Sequence, residues 1–154
     1  MTAPSRVPDL IDNLIAALQA AAGLTGVKVV DGPLVRDSAA SEFVFVGYDG
    51  DPEGEFATAG TSQQWAGLGA KAKSEEITLT CAVLVQRGST DVKACRTRTF
   101  EIFAQVEAVV RDAPALGLPP PTVCSISDTT FHTEQTDRGV RGRMPFTLSC
   151  TTRI

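Results

Sequence analysis

The chain has 154 residues, of which 43% are hydrophobic and 21% are charged, and its formal net charge is −4 at pH 7. This length favours one domain with its own core, and the composition excludes a disordered tail, a collagen-like fibre and a coiled coil. Its apolar stretches fall short of the roughly 20 residues that cross a bilayer, and a pI near 4.9 argues against a dedicated phosphate binder. We therefore expect one soluble, acidic domain over residues 1–154.

An amphipathic helix is predicted near the N-terminus. Leu10, Leu14 and Leu18 follow the 3.6-residue period, Pro8 suits a first helical turn, and Gly23 is a plausible stop. The polar face carries aspartates and no lysine, so packing against a sheet is expected rather than docking on an anionic membrane. The first residues also lack the long apolar region of a signal peptide, which predicts synthesis in the cytoplasm.

Two strands are predicted before a long irregular segment. Residues 27–30 form the first strand, and residues 43–48 form a second that is apolar on both faces, as in a sheet covered on both sides. Periodicity then fails over residues 49–74, which glycines and a proline interrupt. The sequence therefore predicts a long irregular loop at about 49–74, of the kind that is usually functional or mobile.

The clearest strand in the sequence starts at Glu75. Alternate residues from Ile77 to Val85 form one apolar face. Ser89-Thr90-Asp91 then indicates a helix cap, and the second helix is predicted to reach about Asp112. Phe100 widens its apolar stripe, so one flank of this helix is a candidate for contact with another subunit.

Two further strands close the chain, at about 122–135 and 143–153, around a turn at Asp137-Arg138-Gly139. The predicted order is α-β-β-long loop-β-α-β-β, without internal repeats. This order predicts an α+β fold with two layers, in which a mixed or mostly antiparallel sheet packs against two main helices.

Metal, cofactor and catalytic sites are not expected from the cysteines and the histidine. Cys81, Cys95, Cys124 and Cys150 are widely spaced and form no C-x-x-C pair, and His132 is the single histidine. We interpret the cysteines as small buried hydrophobes in a reducing compartment, and His132 as a surface or structural residue. Nothing resembles a nucleophile elbow or a phosphate-binding loop, so the chain is not expected to be an enzyme.

The segment Asp49-Gly50-Asp51-Pro52-Glu53-Gly54 begins like a calcium-binding loop. The twelfth position is Gly60, where such a loop needs a bidentate glutamate, and no helix is predicted on either side. We therefore favour an acidic, solvated turn that includes Asp49 and Asp51.

Two other features are candidates for an interface. Trp65, inside the predicted loop, either folds back onto the core or anchors a contact with a partner. Arg138, Arg141 and Arg143 lie within six residues, which indicates a solvated hairpin tip, a contact with an acidic partner or, less favoured, a contact with phosphates.

The whole chain resembles the tail terminator, or tail completion, proteins of long-tailed double-stranded DNA bacteriophages. Each shared feature is weak alone, and the order and spacing carry the resemblance. In chain order, the features are the N-terminal amphipathic helix, Val30-Asp31-Gly32-Pro33, Phe43-Val44-Phe45-Val46-Gly47-Tyr48-Asp49, Arg87-Gly88, Thr90-Asp91 opening a helix with Arg96 and Phe100, Arg111-Asp112-Ala113-Pro114, Pro145-Phe146-Thr147-Leu148 and Arg153-Ile154.

The resemblance implies an α+β structural subunit of the virion that forms a homohexameric ring at the head-proximal end of the tail tube. Such a ring ends tube polymerisation and provides the surface for head–tail joining. The implied partners are further copies of the chain, the tail tube protein and a head-closure or neck protein, with DNA passing through without specific binding and no membrane. The implied location is the tail and neck of a virion assembled in the bacterial cytoplasm.

Two alternatives remain open. The chain could be another neck or head-closure component, or a small cytosolic ligand-binding or enzymatic domain.

The charge distribution adds one expectation. Residues 1–74 contain nine acidic and five basic residues, whereas residues 75–154 contain nine of each. Under the tail terminator interpretation, an acidic surface faces the channel or one partner and the arginine-rich turn faces another.

Overall fold

The computed structural model describes residues 3–33, 40–67, 69 and 71–154. Within these residues the chain forms two α-helices and a seven-stranded mixed sheet, with about 26% helix and 40% strand, which confirms the α+β prediction. The helices are α1 (Val7–Ala20) and α2 (Val92–Asp112), and a short 3₁₀ turn occupies Ala22–Leu24. The strands are β1 (Lys28–Asp31), β2 (Glu42–Val46), β3 (Ala59–Trp65), β4 (Lys73–Gln86), β5 (Val123–Thr129), β6 (His132–Thr136) and β7 (Gly139–Arg153).

Two long antiparallel strands, β4 and β7, form the centre of the sheet. Their register is continuous, from Ser74 opposite Arg153 to Gln86 opposite Arg141. Strands β2 and β3 share the other edge of β4 and are both antiparallel to it. Strands β5 and β6 share the free edge of β7 in the same way, and β1 pairs parallel with β2. On its outer edge, each central strand therefore pairs with two shorter strands in succession instead of one long strand.

Both helices pack on one face of the sheet and bury the main core. Helix α1 contributes Leu10, Leu14 and Leu18, at the predicted spacing. Alternate residues of β4, from Ile77 to Val85, face the helices as predicted and are at most 1% exposed. The residues that α2 buries here are Cys95, Thr99, Ile102, Val106 and Val110.

A smaller aromatic cluster covers the opposite face near β2. The rings of Phe43 and Phe45 stack with centroids 5.5 Å apart, and Tyr48 meets Phe45 edge-on at 5.1 Å. Ala82 of β4 lies beneath these rings. The prediction that residues 43–48 lie in a sheet covered on both faces is confirmed, because residues 43–46 and Tyr48 are all buried.

The prediction of an irregular loop over residues 49–74 is wrong in its second half. Strand β3 pairs with β4 from Ala59 opposite Leu79 to Trp65 opposite Lys73, and β4 itself begins at Lys73. The side chains of β3 are polar or small and mostly exposed, so the sequence shows no apolar alternation there. Main-chain pairing with β4, rather than burial, specifies this strand.

The C-terminal strands also differ from the prediction. Residues 122–135 form two strands instead of one, with a bulge in β5 between Ile126 and Asp128. Strand β7 starts at Gly139, because a tight turn at residues 137–138 joins it directly to β6. Gly139 has a φ of 110°, and a Cβ there would meet the carbonyl oxygen of Arg87, so glycine is required.

Candidate interaction surfaces

Two of the three arginines singled out in the sequence lie against the acidic segment of the same subunit. Arg143 donates from Nη1 to the carbonyl oxygen of Asp49 at 3.0 Å, and Arg141 donates from Nη2 to the carbonyl oxygen of Gly50 at 3.3 Å. Gly50 is buried against Arg143, where a Cβ would lie 3.2 Å from its Cδ atom. The two arginines thus fix the segment that follows β2 to the sheet.

This arrangement places two of the three arginines beside the acidic segment, whereas the expectation that this segment and the arginine-rich turn face different partners stays a prediction. Arg141 and Arg143 are half-buried along β7 and lie beside Asp49, while only Arg138 occupies the exposed turn between β6 and β7. The sequence could not show this proximity because 94 residues separate Asp49 from Arg143. Residues 49–53, Arg141 and Arg143 therefore form one continuous surface, which we call the arginine and acidic surface.

The carboxylates of Asp49 and Asp51 stabilise the local turn. Asp49 accepts a hydrogen bond from the Asp51 amide at 2.9 Å, and Asp51 accepts one from the Glu53 amide at 3.0 Å. Such bonds between an aspartate and the backbone two residues on are typical of turns. Among the described residues, no group of three or more His, Cys, Asp and Glu side chains is arranged to hold a metal ion.

Trp65 lies at the opposite end of the sheet and is 66% exposed, which excludes the interpretation that it folds onto the core. Lys73, directly opposite on β4, places its Nζ atom 5.1 Å from the centroid of the indole ring. The indole borders an open hollow of about 320 Å³ that residues from both chain ends help to line. The other lining residues are Ala3, Pro4, Gln63, Lys71, Lys73 and Ile154. We call this cationic, aromatic surface the Trp65 corner.

A second exposed aromatic surface lies on α2. Phe100 is 48% exposed and packs edge-on against Phe131, with ring centroids 5.3 Å apart. The side chains of Arg96, Thr97, Glu101 and Ala104 surround an open depression of about 520 Å³ beside Phe100. The widened apolar stripe of α2 is the sequence signal for this surface, which we call the Phe100 patch.

Glu75 was missed as a candidate residue and is the most enclosed charged group among the described residues, with no exposed surface. Its Oε1 accepts a hydrogen bond from the Arg6 amide at 2.7 Å. Its Oε2 accepts hydrogen bonds from Ser5, Thr61 and Gln63 at 2.6–2.8 Å. Burial acts to raise the pKa of Glu75, but these four hydrogen bonds outweigh it and lower the pKa below its ordinary value.

This carboxylate joins the segment before α1 and strand β3 to β4. Glu75 lies in phase with Ile77 and Leu79 on the buried face, so the strand alternation itself indicated that it points inward. Arg6, directly before α1, and Thr61 of β3 both donate hydrogen bonds to Glu75. Glu75 therefore holds in place the two segments that border the Trp65 corner.

An ion pair connects α2 to β2. Arg98 donates from Nε and Nη2 to the two carboxylate oxygens of Glu42, at 2.7 and 3.0 Å. The hydrogen bonds from Arg98 lower the pKa of Glu42, while partial burial opposes them. This bidentate pair holds the N-terminal half of α2 against the sheet.

The four cysteines are all free and buried, as predicted. Burial raises the pKa of the Cys81 thiol to about 12, so this sulfur stays protonated at neutral pH. His132 lies exposed on β6, in agreement with the prediction of a surface residue.

Neither the models of known protein families nor the curated proteins contain a match to this chain. Among the described residues, no helix is long and apolar enough to cross a membrane.

Proposed function

We propose that this protein is a structural subunit of a bacteriophage tail terminator, which assembles into a homohexameric ring at the head-proximal end of the tail tube. The proposal starts from the sequence resemblance, which spans nearly the whole chain, and the α+β fold agrees with what that resemblance implies. In this function the ring ends tube polymerisation and presents a surface to a head-closure or neck protein.

The exposed indole of Trp65 is the observation that carries the proposal. A tryptophan with 66% of its surface exposed, on a strand that lies outside the core, contributes little to the stability of the isolated subunit. Tryptophan supplies a large contact area at low entropic cost and is enriched among the residues that dominate binding at interfaces. We therefore assign the Trp65 corner to the contact between neighbouring subunits.

A closed ring needs two different surfaces on each subunit, because each copy contacts its neighbours head to tail. The Trp65 corner and the Phe100 patch provide two such surfaces. Trp65 lies at the free end of β3, whereas Phe100 lies on the outer side of α2. In the proposed ring, the Trp65 corner of one subunit packs against the Phe100 patch of the next.

The charge of the chain is consistent with a channel that DNA crosses without binding. The net charge of −4 disfavours association with phosphates. Arg141 and Arg143 already donate hydrogen bonds to carbonyl groups of their own subunit. We expect no sequence-specific contact with DNA.

The first test uses purified protein and isolated tail tubes. Negative-stain microscopy and light scattering should show hexameric rings, either in solution or formed on the ends of tubes, and tube elongation should stop. The variant Trp65→Ala should weaken subunit association by about thirtyfold, the effect of losing a dominant interface side chain. A protein that stays monomeric and does not bind tail tubes would overturn the proposal.

A mixing experiment tests the pairing of the two surfaces. Under conditions and at a concentration at which the unmodified protein just forms rings, Trp65→Ala and Phe100→Ala should each be monomeric alone. Mixed together, they should form a dimer and no ring, because one intact Trp65 corner meets one intact Phe100 patch and both remaining surfaces are defective. A mixture that stays monomeric would contradict this pairing. Circular dichroism of each variant monitors folding, and Trp65→Phe is the conservative control.

The same preparations separate the tail terminator from another neck component. A tail terminator binds the ends of tail tubes before any head is present. A head-closure protein instead binds DNA-filled heads, and binding to heads alone would favour that alternative.

A further inference from the structure

Two of the four buried cysteines lie directly opposite each other on neighbouring strands. Cys124 of β5 and Cys150 of β7 are register partners in the antiparallel β5–β7 pair. Both side chains are nearly enclosed, at 3% and 2% exposure, and both belong to the core between the sheet and the helices. Directly opposed residues have their side chains on the same face of a sheet, so the two thiols are neighbours.

The direction of the main-chain hydrogen bonds decides how close these residues are. The Cys124 amide donates to the carbonyl oxygen of Pro114 at 2.7 Å, so it points away from β7. In an antiparallel pair, opposed residues that do not exchange main-chain hydrogen bonds have the closer side chains, with Cα atoms about 4.5 Å apart.

The hydrogen-bonding pattern of the neighbouring β4–β7 pair indicates independently that Cys124 and Cys150 do not exchange main-chain hydrogen bonds. Lys73 and Ile154 exchange both main-chain hydrogen bonds, each at 2.9 Å. The register continues without a shift, so every second pair repeats this pattern, including Ile77 opposite Cys150. The amide and carbonyl of Cys150 therefore point toward β4, and Cys124 and Cys150 form a non-hydrogen-bonded pair.

This geometry falls within the range of a disulfide. Disulfide-bonded cysteines have Cα atoms roughly 4.4–6.8 Å apart, and a non-hydrogen-bonded antiparallel pair lies near the lower end of that range. No shift of register is needed to join the two sulfurs.

We infer that Cys124 and Cys150 are a latent disulfide site, reduced in the cytoplasm and closed by a small disulfide oxidant once the protein reaches an oxidising medium. The inference does not depend on the proposed ring. The bond would covalently fix the edge strand β5 to the central strand β7.

The proposed reaction is thiol–disulfide exchange between the two cysteines and the oxidant. One cysteine thiolate attacks a sulfur of the oxidant, breaks its S–S bond and releases one thiol, leaving a mixed disulfide. The second cysteine loses its proton and displaces the other half of the oxidant. Two protein thiols are oxidised by two electrons, one oxidant disulfide is reduced, and both protons end on the two released thiols.

The two thiols share one hydrogen bond, so their protonation is linked. A hydrogen bond from the Cys124 thiol lowers the pKa of Cys150, although burial acts in the opposite direction. The same hydrogen bond, together with burial, raises the pKa of Cys124. Because the thiolate is the nucleophile and the first deprotonation belongs to the linked pair, either sulfur can make the first attack.

The remaining cysteines provide internal controls. Cys81 is opposed by Phe146 on β7 and by Val46 on β2, so neither neighbouring strand offers it a thiol. Cys95 lies on α2, with its sulfur 3.8 Å from the carbonyl oxygen of Val85. Neither is expected to form a bond with Cys124 or Cys150.

The test incubates the reduced, folded protein with hydroxyethyl disulfide and follows it by intact mass spectrometry, thiol counting and peptide mapping. The free thiols should fall from four to two, with one linked peptide pair joining Cys124 to Cys150. Because β5 is an edge strand, transient opening of this strand admits the oxidant to the buried sulfurs. Hydrogen exchange of the β5 amides should slow by at least about tenfold after oxidation, because the link suppresses this opening.

Matched variants complete the test. Cys81→Ser should still lose two thiols, whereas Cys124→Ser and Cys150→Ser should form no internal link. Peptide mapping of the unmodified sequence does not depend on whether these variants fold. Four thiols that persist in the folded protein, a link to Cys81 or Cys95, or a bond between two chains would each overturn the inference.

Discussion

A buried carboxylate surrounded by neutral donors is the most informative single residue in this fold. Glu75 has no exposed surface, and its hydrogen bonds connect the residues before α1, strand β3 and strand β4. A buried charge of this kind is tolerated because each carboxylate oxygen is hydrogen bonded. Its removal should therefore affect stability and the position of β3 together.

Replacing Glu75 by Gln should destabilise the protein at pH 7 by about 2 kcal/mol, because an amide nitrogen then faces donors that require an acceptor. The pKa of Glu75 is lowered in the folded state, so its contribution is present above the ordinary value of 4.5 and is lost as the pH falls through the folded pKa. The difference between the two proteins should thus shrink in acid. Urea unfolding from pH 7 to pH 3 measures it.

Glu76→Gln is the matched control, since this neighbouring carboxylate is exposed on the opposite face of β4. It should change the free energy of unfolding by less than about 0.5 kcal/mol at any pH. Equal midpoints for Glu75→Gln and the unmodified protein would show that the four hydrogen bonds contribute nothing to the stability of the folded state.

At the scale of elements, the packing of α2 depends on a close approach to β7. A Cβ atom on Gly142 would lie 2.7 Å from the Thr99 hydroxyl and 3.1 Å from the Cys95 sulfur. The Thr99 hydroxyl is held in place by its hydrogen bond to the Cys95 carbonyl oxygen at 2.8 Å. The helix therefore has little freedom to move away from a larger residue.

Gly142→Ala should destabilise the protein by about 1–3 kcal/mol, because the new methyl group overpacks the contact between α2 and the sheet. Thermal and urea unfolding, monitored by far-UV circular dichroism, measure the change. Gly88→Ala is the control, because a Cβ at Gly88 meets nothing within 4 Å. A Gly142→Ala protein as stable as the control would mean that α2 shifts without cost.

The elements that the sequence predicted well are those that burial specifies. Alternation in β4 and the 3.6-residue period in α1 reflect apolar faces that pack on the core. Strand β3 was not predicted, because its side chains remain mostly exposed and show no apolar alternation, and main-chain pairing with β4 specifies it. The proximity of Arg143 to Asp49 was also not predicted, because it follows from the register of β4 against β7 and from the path of the chain after β2.

At the scale of the whole molecule, the two notable surfaces of the sheet lie far apart. Trp65 is opposite Lys73 at one end of β4, and Arg141 is opposite Gln86 at the other. With a rise of about 3.3 Å per residue, these ends are separated by about 40 Å. A partner at the Trp65 corner therefore leaves the arginine and acidic surface free.

Limited proteolysis should detect this separation. Trypsin should cut after the exposed Lys71, and a glutamate-specific protease should cut after the exposed Glu53, in the free subunit. If the proposed ring forms through the Trp65 corner, assembly should slow cleavage at Lys71 by at least about tenfold, as expected for a site buried in an interface, and leave cleavage at Glu53 nearly unchanged. Time courses analysed by mass spectrometry give both rates.

Trp65→Ala serves as the unassembled reference in this experiment and should be cut at Lys71 at the rate of the free subunit. Equal rates at Lys71 in assembled and free protein would exclude the Trp65 corner from the subunit contact. Protection at Glu53 alone would instead place the contact on the arginine and acidic surface.

The connection between β2 and β3 can change in length without disturbing the sheet. Both strands are held independently on the same edge of β4, so the connecting residues do not set the register of the sheet. Pro52, Glu53 and Glu55 project from this connection and are exposed. Added length at that point stays outside the pairing, as is common at exposed loop tips. It is therefore the natural position for a genetically encoded tag or fluorophore, and the place where insertions and deletions among related sequences should accumulate.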